Sequence, residues 1–258
     1  MFSMSKSILI FGAGLNQLTL IKAARELGLS LVVLDPNEDA PGKDLADYFY
    51  QVPGNDYETT KEIALKHNVS GIVTSQMEKP MRLMAKLAKE LGFVFHTPEV
   101  TEKSLDKWLM KQSFIEFNVP CAKGRLFKQG EEINEHQIVD LFFPLIIKPK
   151  DATSSQGVYK IDNFAEIIQY RKITESFSKT GEVIIEEFLG GPEFSVETVT
   201  YNSKTTIVQF TEKFITPFPR TVELGHLQPA TLTEEEKQKI SHLVISAINA
   251  IGINNSAS

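Results

Sequence analysis

Between Lys6 and Thr97 the chain keeps returning to one arrangement, a short apolar run followed by a longer stretch with helical spacing. The runs are SILIFGAG, LSLVVLD and VSGIVTS; NQLTLIKAARELG, a helix around Tyr57 to His67 and another from Lys79 to Leu91 lie between and after them. Strands that alternate with helices through short loops pair in parallel, because each helix carries the chain back to the same end of the sheet. Near-continuous apolar runs are what such strands need, since helices cover both faces. The region therefore predicts a doubly wound α/β sheet. Gly28 and Gly92 stand where helix C-caps belong, and Ser75 followed by Glu78 predicts a capping box before the third helix.

The pattern changes after residue 97, which divides the chain into a domain over 1–97 and a second over 98–258. SLDKWLMKQSFIEFN reads as one helix. A small α+β unit over 121–185 follows, made of GRLFKQGEEI, FPLIIK, a polar turn, VYKI and a helix from near Asn163 to Phe177. Residues 186–258 open a further subdomain. Its strands continue VIIEEF with EFSVETVTY and TTIVQFTEKF, and Gly-Gly-Pro and Asn-Ser turns mark them as antiparallel. Thr233 and Glu236 form another capping box, and Ile240, Leu243, Val244, Ala247, Ile248 and Ile251 share one face of the helix that follows.

Composition narrows the function classes. With 258 residues and a formal net charge of -6, the chain is a poor ligand for phosphate backbones, which argues against nucleic acid as a partner. The apolar run near the N-terminus, Ile8 to Ala13, is too short for a membrane span or signal segment, and Cys121 has no internal partner for a disulfide. Both features point to the cytoplasm. The five histidines lack ligand spacing with one another or with Cys121, which argues against a zinc site.

Two segments carry chemistry. In PLIIKPKDATSSQGV an apolar strand ends in Lys148, whose ammonium needs an anion or water at a sheet end. Thr153, Ser154, Ser155, Gln156 and Gly157 follow it, offering hydroxyls and a hinge that can wrap backbone N–H groups around phosphate oxygens. A surface lysine beside an ordinary hairpin turn is the plain alternative. In VIIEEFLGGPEFSVE the strand backbone next to Phe188 and Leu189 suits the edge of a purine, and the Glu193 carboxylate suits ribose hydroxyls. A solvated hairpin with acidic rims is the plain alternative there.

In the order GAGLNQ, LVVLDPN, SLDKWLMKQSFIEFNVP, FPLIIKPKDATSSQGV, VIIEEFLGGPEF, TEKF and VELGHLQPATL, the chain resembles the ATP-grasp carboxylate–amine ligases along essentially its whole length. The subgroup it looks like contains biotin carboxylase, carbamoyl-phosphate synthetase and amino-acid ligases. The resemblance implies a pre-ATP-grasp domain over 1–97 and an ATP-grasp domain over 98–258, with 121–185 as its small lid. It implies Lys107 and Lys148 on the ATP phosphates, with Ser154, Ser155 and Gly157 as the lid loop, serines and threonine replacing its usual glycines. Glu186 would meet the adenine amino group, Glu187, Phe188 and Leu189 would offer backbone contacts, and Glu193 would hold the ribose. Lys213, Arg220 and His226 would face the γ-phosphate and the acceptor carboxylate.

The implied reaction activates a carboxylic or amino acid as an acyl phosphate for attack by an amine, with ATP and Mg²⁺. A homodimer is common for such folds. The family's metal ligands are two acidic residues and an Asn near the end of the domain; no acidic residue follows Glu236 here, so the metal ligands are expected beyond residue 258 and the ATP-grasp region is expected to be incomplete. A nucleotide-binding fragment or partner-dependent module without turnover is the second reading. A third, an NAD-dependent enzyme, rests on Gly12, Ala13 and Gly14 after the first strand and Asp35 ending the next, but Gln17 occupies the third glycine position of that fingerprint. If the family reading holds, Asn16, Gln17 and Glu78 are candidate substrate contacts.

Overall fold

The computed structural model describes residues 6–218 and 223–257. It divides into two compact units, Met1–Glu102 and Lys103–Ser258. In the first, β1 (Ser7–Phe11), α1 (Leu18–Glu26), β2 (Ser30–Asp35), β3 (Tyr48–Gln51), α2 (Tyr57–Lys66), β4 (Val69–Thr74) and α3 (Met81–Leu91) follow one another. The four strands are parallel in the order β3-β2-β1-β4. Alternation places Leu9, Phe11, Val32 and Leu34 in one core with Ile63, Met84 and Leu87, while Ile10, Leu31 and Val33 meet Ile21 and Ala24 of α1 in the other. The expected doubly wound sheet is therefore present, buried on both faces.

Two details differ from expectation. Ser75 and Glu78 do not cap α3: the helix starts at Met81 behind Pro80 at its N-cap, and the Ser75 hydroxyl donates to the Asn16 carbonyl. Strand β3 is an additional edge strand of four residues with no fully buried side chain, and it lacks the apolar run by which its neighbours announce themselves. Gly92 ends α3 at φ 74°, as its position predicted.

The second unit begins within α4 (Pro98–Leu105), followed by α5 (Lys107–Glu116). The single expected helix is broken at Asp106, whose carboxylate accepts from the Trp108 and Leu109 amides at 2.9 and 3.0 Å and so starts a new helix. Next come β5 (Gly124–Phe127), β6 (Leu145–Pro149), β7 (Tyr159–Ile161), α6 (Phe164–Phe177) and β8 (Val183–Glu187), forming an antiparallel sheet in the order β5-β8-β6-β7. Its core packs Leu145, Ile147, Val183 and Ile185 against Ile167 of α6.

The remaining strands, β9 (Glu193–Tyr201), β10 (Lys204–Ile215) and β11 (Glu223–Leu227), join β12 (Ser256–Ala257) in a second antiparallel sheet ordered β11-β10-β9-β12. Between β11 and β12 runs α7 (Glu234–Ile251), with Thr233 and Glu236 forming the expected capping box and Gly252 at φ 89° ending it. Only the last turns of α7 are fully buried, through Ile248, Ala250 and Ile251; Leu243 is exposed despite its place in the apolar pattern. Among the described residues no helix is long and apolar enough to cross a membrane.

Candidate nucleotide site

The two-residue period of a strand decides what β6 and β8 present. Leu145, Ile147, Val183 and Ile185 fill the core under α6, which turns Ile146, Lys148, Ile184 and Glu186 to the opposite face. Ile146 pairs with Glu186 and Lys148 with Ile184, so Lys148 and Glu186 are diagonal neighbours. The Lys148 ammonium donates to Glu186 Oε1. Lys111, reaching in from α5, holds Oε2 at 2.9 Å and also donates to the Ala122 carbonyl. A carboxylate this buried is tolerable only because both oxygens meet cations. On its other side Glu186 is paired with Gly124, where a Cβ would stand 2.7 Å from Glu186 Cβ and 2.8 Å from the Ile185 carbonyl oxygen.

Lys107, the first residue of α5, is tied to the segment after β6. Its amide donates to the Lys150 carbonyl at 3.1 Å and its ammonium to the Ala152 carbonyl. The base of that segment is pinned by Lys150, which pairs with Glu182 and, at 3.3 Å, with Asp106. Burial works against the charge on Lys150, but the hydrogen bonds it donates to its two carboxylate partners outweigh it and raise its pKa. The Gln156 amide then closes a turn on the Thr153 carbonyl at 3.2 Å, with Ser154 and Ser155 both left-handed at φ 55° and 53°. Two such non-glycine residues in a row cost on the order of 1 kcal/mol each. Gly157, at φ 71°, is buried; a Cβ there would lie 2.8 Å from the Phe177 ring and 3.0 Å from Pro149. The left-handed backbone and the packing together account for this glycine.

Past Glu186 the strand end is partly committed. The Glu187 amide donates to the Lys123 carbonyl at 2.9 Å and the Phe188 amide to the Pro144 carbonyl at 3.1 Å, while Leu189 is exposed. The Phe188 ring lies edge-on to Phe218, centroids 5.5 Å apart, and Lys160 Nζ stands 5.3 Å from its centroid. Glu193, opening β9, faces Lys213 across the ladder at 2.7 Å, and Lys213 holds Glu223 at the same distance. Burial lowers the Lys213 pKa, but hydrogen bonds to Glu193 and Glu223 prevail and raise it, so the side chain stays an ammonium. His226 is opposite Lys213 on β11, 3.5 Å from Glu223. Arg220 lies outside the described residues.

The structure thus brings Lys148 together with Glu186, Lys107 with the serine turn, and Glu193 with Lys213 and His226. Sequence reasoning missed Lys111, although its spacing of four from Lys107 put it on the same side of a helix, and it missed Glu223, which carries no spacing signal. Among the described residues no three His, Cys, Asp or Glu side chains stand together as a metal site. The carboxylates nearest Lys213 are already neutralised by it. No step below passes through a metal.

In the first unit, Asp35 is spent on the fold: its two oxygens accept from the amides of Ala13 at 2.7 Å and Asn37 at 2.8 Å. That leaves little for a ribose and weighs against the dinucleotide reading. Gln17 is buried and donates to the Ser75 carbonyl at 2.6 Å, whereas Asn16 and Glu78 are exposed.

Comparison with known proteins agrees with this architecture. Residues 141–258 match the ATP-grasp domain family, and residues 4–103 match the ribonucleotide synthetase preATP-grasp domain. A formate-dependent phosphoribosylglycinamide formyltransferase from Prochlorococcus marinus is 25% identical over 96% of this chain and 65% of its own length. The structure of phosphoribosylglycinamide synthetase from Anaerococcus prevotii superposes with a TM-score of 0.77 at 27% identity, covering 98% of this chain and 63% of that one. N5-carboxyaminoimidazole synthetase from Staphylococcus aureus, complexed with ADP, has the same fold at a TM-score of 0.81 and 20% identity, over 98% of this chain and 65% of that one. The chain spans 41–65% of the length of the curated relatives it matches.

Proposed function

The chain belongs to the ATP-grasp superfamily, and from that premise we propose that residues of its second unit bind ATP in the service of carboxylate–amine ligation. The observation that carries this reading is the meeting of Lys148 and Lys111 on the single carboxylate of Glu186, at the end of a strand whose next residues run into an exposed turn. Cations gathered at a strand end, beside an acceptor able to read an amino group, suit a ligand with both a phosphate chain and an adenine.

Glu186 accepts from the adenine amino group, the Leu189 amide is the next backbone donor along, and Phe188 covers the base. Glu193 holds the ribose. Lys148 and Lys107 lie against the phosphates, and the turn at Ser154 and Ser155 closes over them with its N–H groups. Phosphoryl transfer depends mainly on positioning and charge neutralisation, which these groups supply. The acceptor carboxylate attacks the γ-phosphorus, the bond from that phosphorus to the bridging oxygen breaks, and ADP leaves with its electron pair. The amine then adds to the acyl phosphate carbonyl, loses a proton and expels inorganic phosphate. Lys213 and His226 face the transferring group and the acceptor. The ADP held by the Staphylococcus aureus relative supports the nucleotide part of this reading. A cytoplasmic setting suits the exposed free thiol of Cys121.

The test is ADP release by the protein supplied with ATP and paired panels of small carboxylic acids and amines. Release that requires one member of each panel is expected. ATP consumption that needs neither, or no protection of the fold by ATP, contradicts the proposal.

A further inference from the structure

The ion pairs around Glu186 are unequal, and the inequality assigns separate jobs to two lysines. The Lys111 side chain is 7% exposed and is fixed by two acceptors, Glu186 Oε2 and the Ala122 carbonyl. Lys148 is 22% exposed and has Glu186 Oε1 as its carboxylate partner. A nucleotide whose phosphates engage Lys148 takes that cation away from Glu186. The Glu186 side chain, 11% exposed, would then be a buried carboxylate without a counter-charge unless another cation stayed behind.

We propose that Lys111 is the positioning residue for base recognition: it keeps a counter-charge on Glu186 and its Oε2 fixed while Lys148 leaves, so that Oε1 is free to accept from a 6-amino purine. The inference rests on the reading of Glu186 as the group that meets the base. Three features on the structure support it. Lys111 is almost fully buried and holds both Glu186 and a backbone carbonyl, the two lysines hold different oxygens of one carboxylate, and any side chain at Gly124 would collide with Glu186, so the glycine leaves its position undisturbed. Lys148 is then a residue of affinity, and Lys111 one of selectivity.

The experiment compares the affinities of ATP and inosine triphosphate, whose base carries an oxygen in place of the 6-amino group, by calorimetry on the whole chain. Wild type is expected to favour ATP at least tenfold. Lys148→Met should weaken both nucleotides alike and preserve the ratio, whereas Lys111→Met should lose most of the ratio and Lys111→Arg should restore it. Removing one member of a buried pair can prevent folding, so Lys111→Gln, which keeps a donor for the Ala122 carbonyl while discarding the charge, serves as a second variant with the same expected loss of selectivity. Glu186→Gln separates two kinds of failure. If it abolishes selectivity while the neutral Lys111 variants retain the wild-type ratio, the role given to Lys111 is wrong. If selectivity survives Glu186→Gln, Glu186 does not read the base, and both the inference and the reading beneath it fall.

Discussion

Gly124 marks a position where a single methyl group decides the geometry of the site. Its Cβ would stand 2.7 Å from Glu186 Cβ and 2.8 Å from the Ile185 oxygen, and neither neighbour is the loose end of a flexible chain. Gly124→Ala must push β5 from β8, which should destabilise the protein by about 1–3 kcal/mol and weaken ATP binding at the same time; urea denaturation and titration of one preparation check both. Stability loss without any loss of affinity would detach Gly124 from the site. Lys148, Glu186 and Glu193 could be picked out in the sequence because each sits at the end of an apolar strand or just past a glycine turn. Lys111 offered only its helical spacing from Lys107, a pattern any solvated helix face shows, and its meaning comes from a carboxylate far away in sequence. Gly157 was legible as a special position, but the structure gives it a packing reason, since Phe177 and Pro149 occupy the space a side chain needs.

Strands β6 and β8 divide their residues between structure and chemistry, and each half can be tested. Ile147 is fully buried in the core beneath α6. Ile147→Ala should cost about 2–5 kcal/mol from lost burial and the cavity left behind, measurable as a fall in the urea midpoint, while ATP protection of the folded state persists because Lys148 and Glu186 face the other way. The existence of these strands was readable from their apolar runs, but the Gly-Gly-Pro turn after β8 read as a hairpin into β9, whereas β8 pairs with β5 and β6 and β9 starts the other sheet. The insertion of β8 between β5 and β6 was not readable, since strand order depends on contacts that no local pattern encodes. The break at Asp106 was hidden by a continuous helical pattern on both sides; only the capping bonds that its carboxylate accepts reveal where one helix ends and the next begins.

Across the whole molecule, acid should act in two steps. His96 is buried, and burial lowers its pKa below the ordinary value near 6.5. The unfolded chain therefore takes up this proton first, so stability should begin to fall as pH drops below about 6.5 and keep falling until the folded state binds the proton too. The second step belongs to the carboxylates held low in the folded state, such as Glu182 beside Lys150, Glu223 beside Lys213, and Asp140, whose pKa is brought down to about 2 by hydrogen bonds from Lys123 and Arg125. The Asp140 contribution is present above the ordinary Asp value near 4 and is lost as pH falls from there through about 2. Urea midpoints followed from pH 8 to 3 should show the upper slope in wild type and a flatter one in His96→Gln; equal slopes would remove His96 as the cause. At this scale the division into a parallel α/β unit and an antiparallel unit was legible from strand spacing alone, and the nucleotide reading from two short segments of the second unit. The central requirement is that those segments bind ATP together. Calorimetric titration of ATP into wild type and Lys148→Ala, with NADH as the contrasting ligand, tests this most directly. One ATP site is expected in wild type, weakened about 10- to 100-fold by the substitution as a charge-assisted contact is lost, with no heat from NADH; equal ATP affinity in the two proteins, or a site that takes NADH instead, would rule out the ATP site.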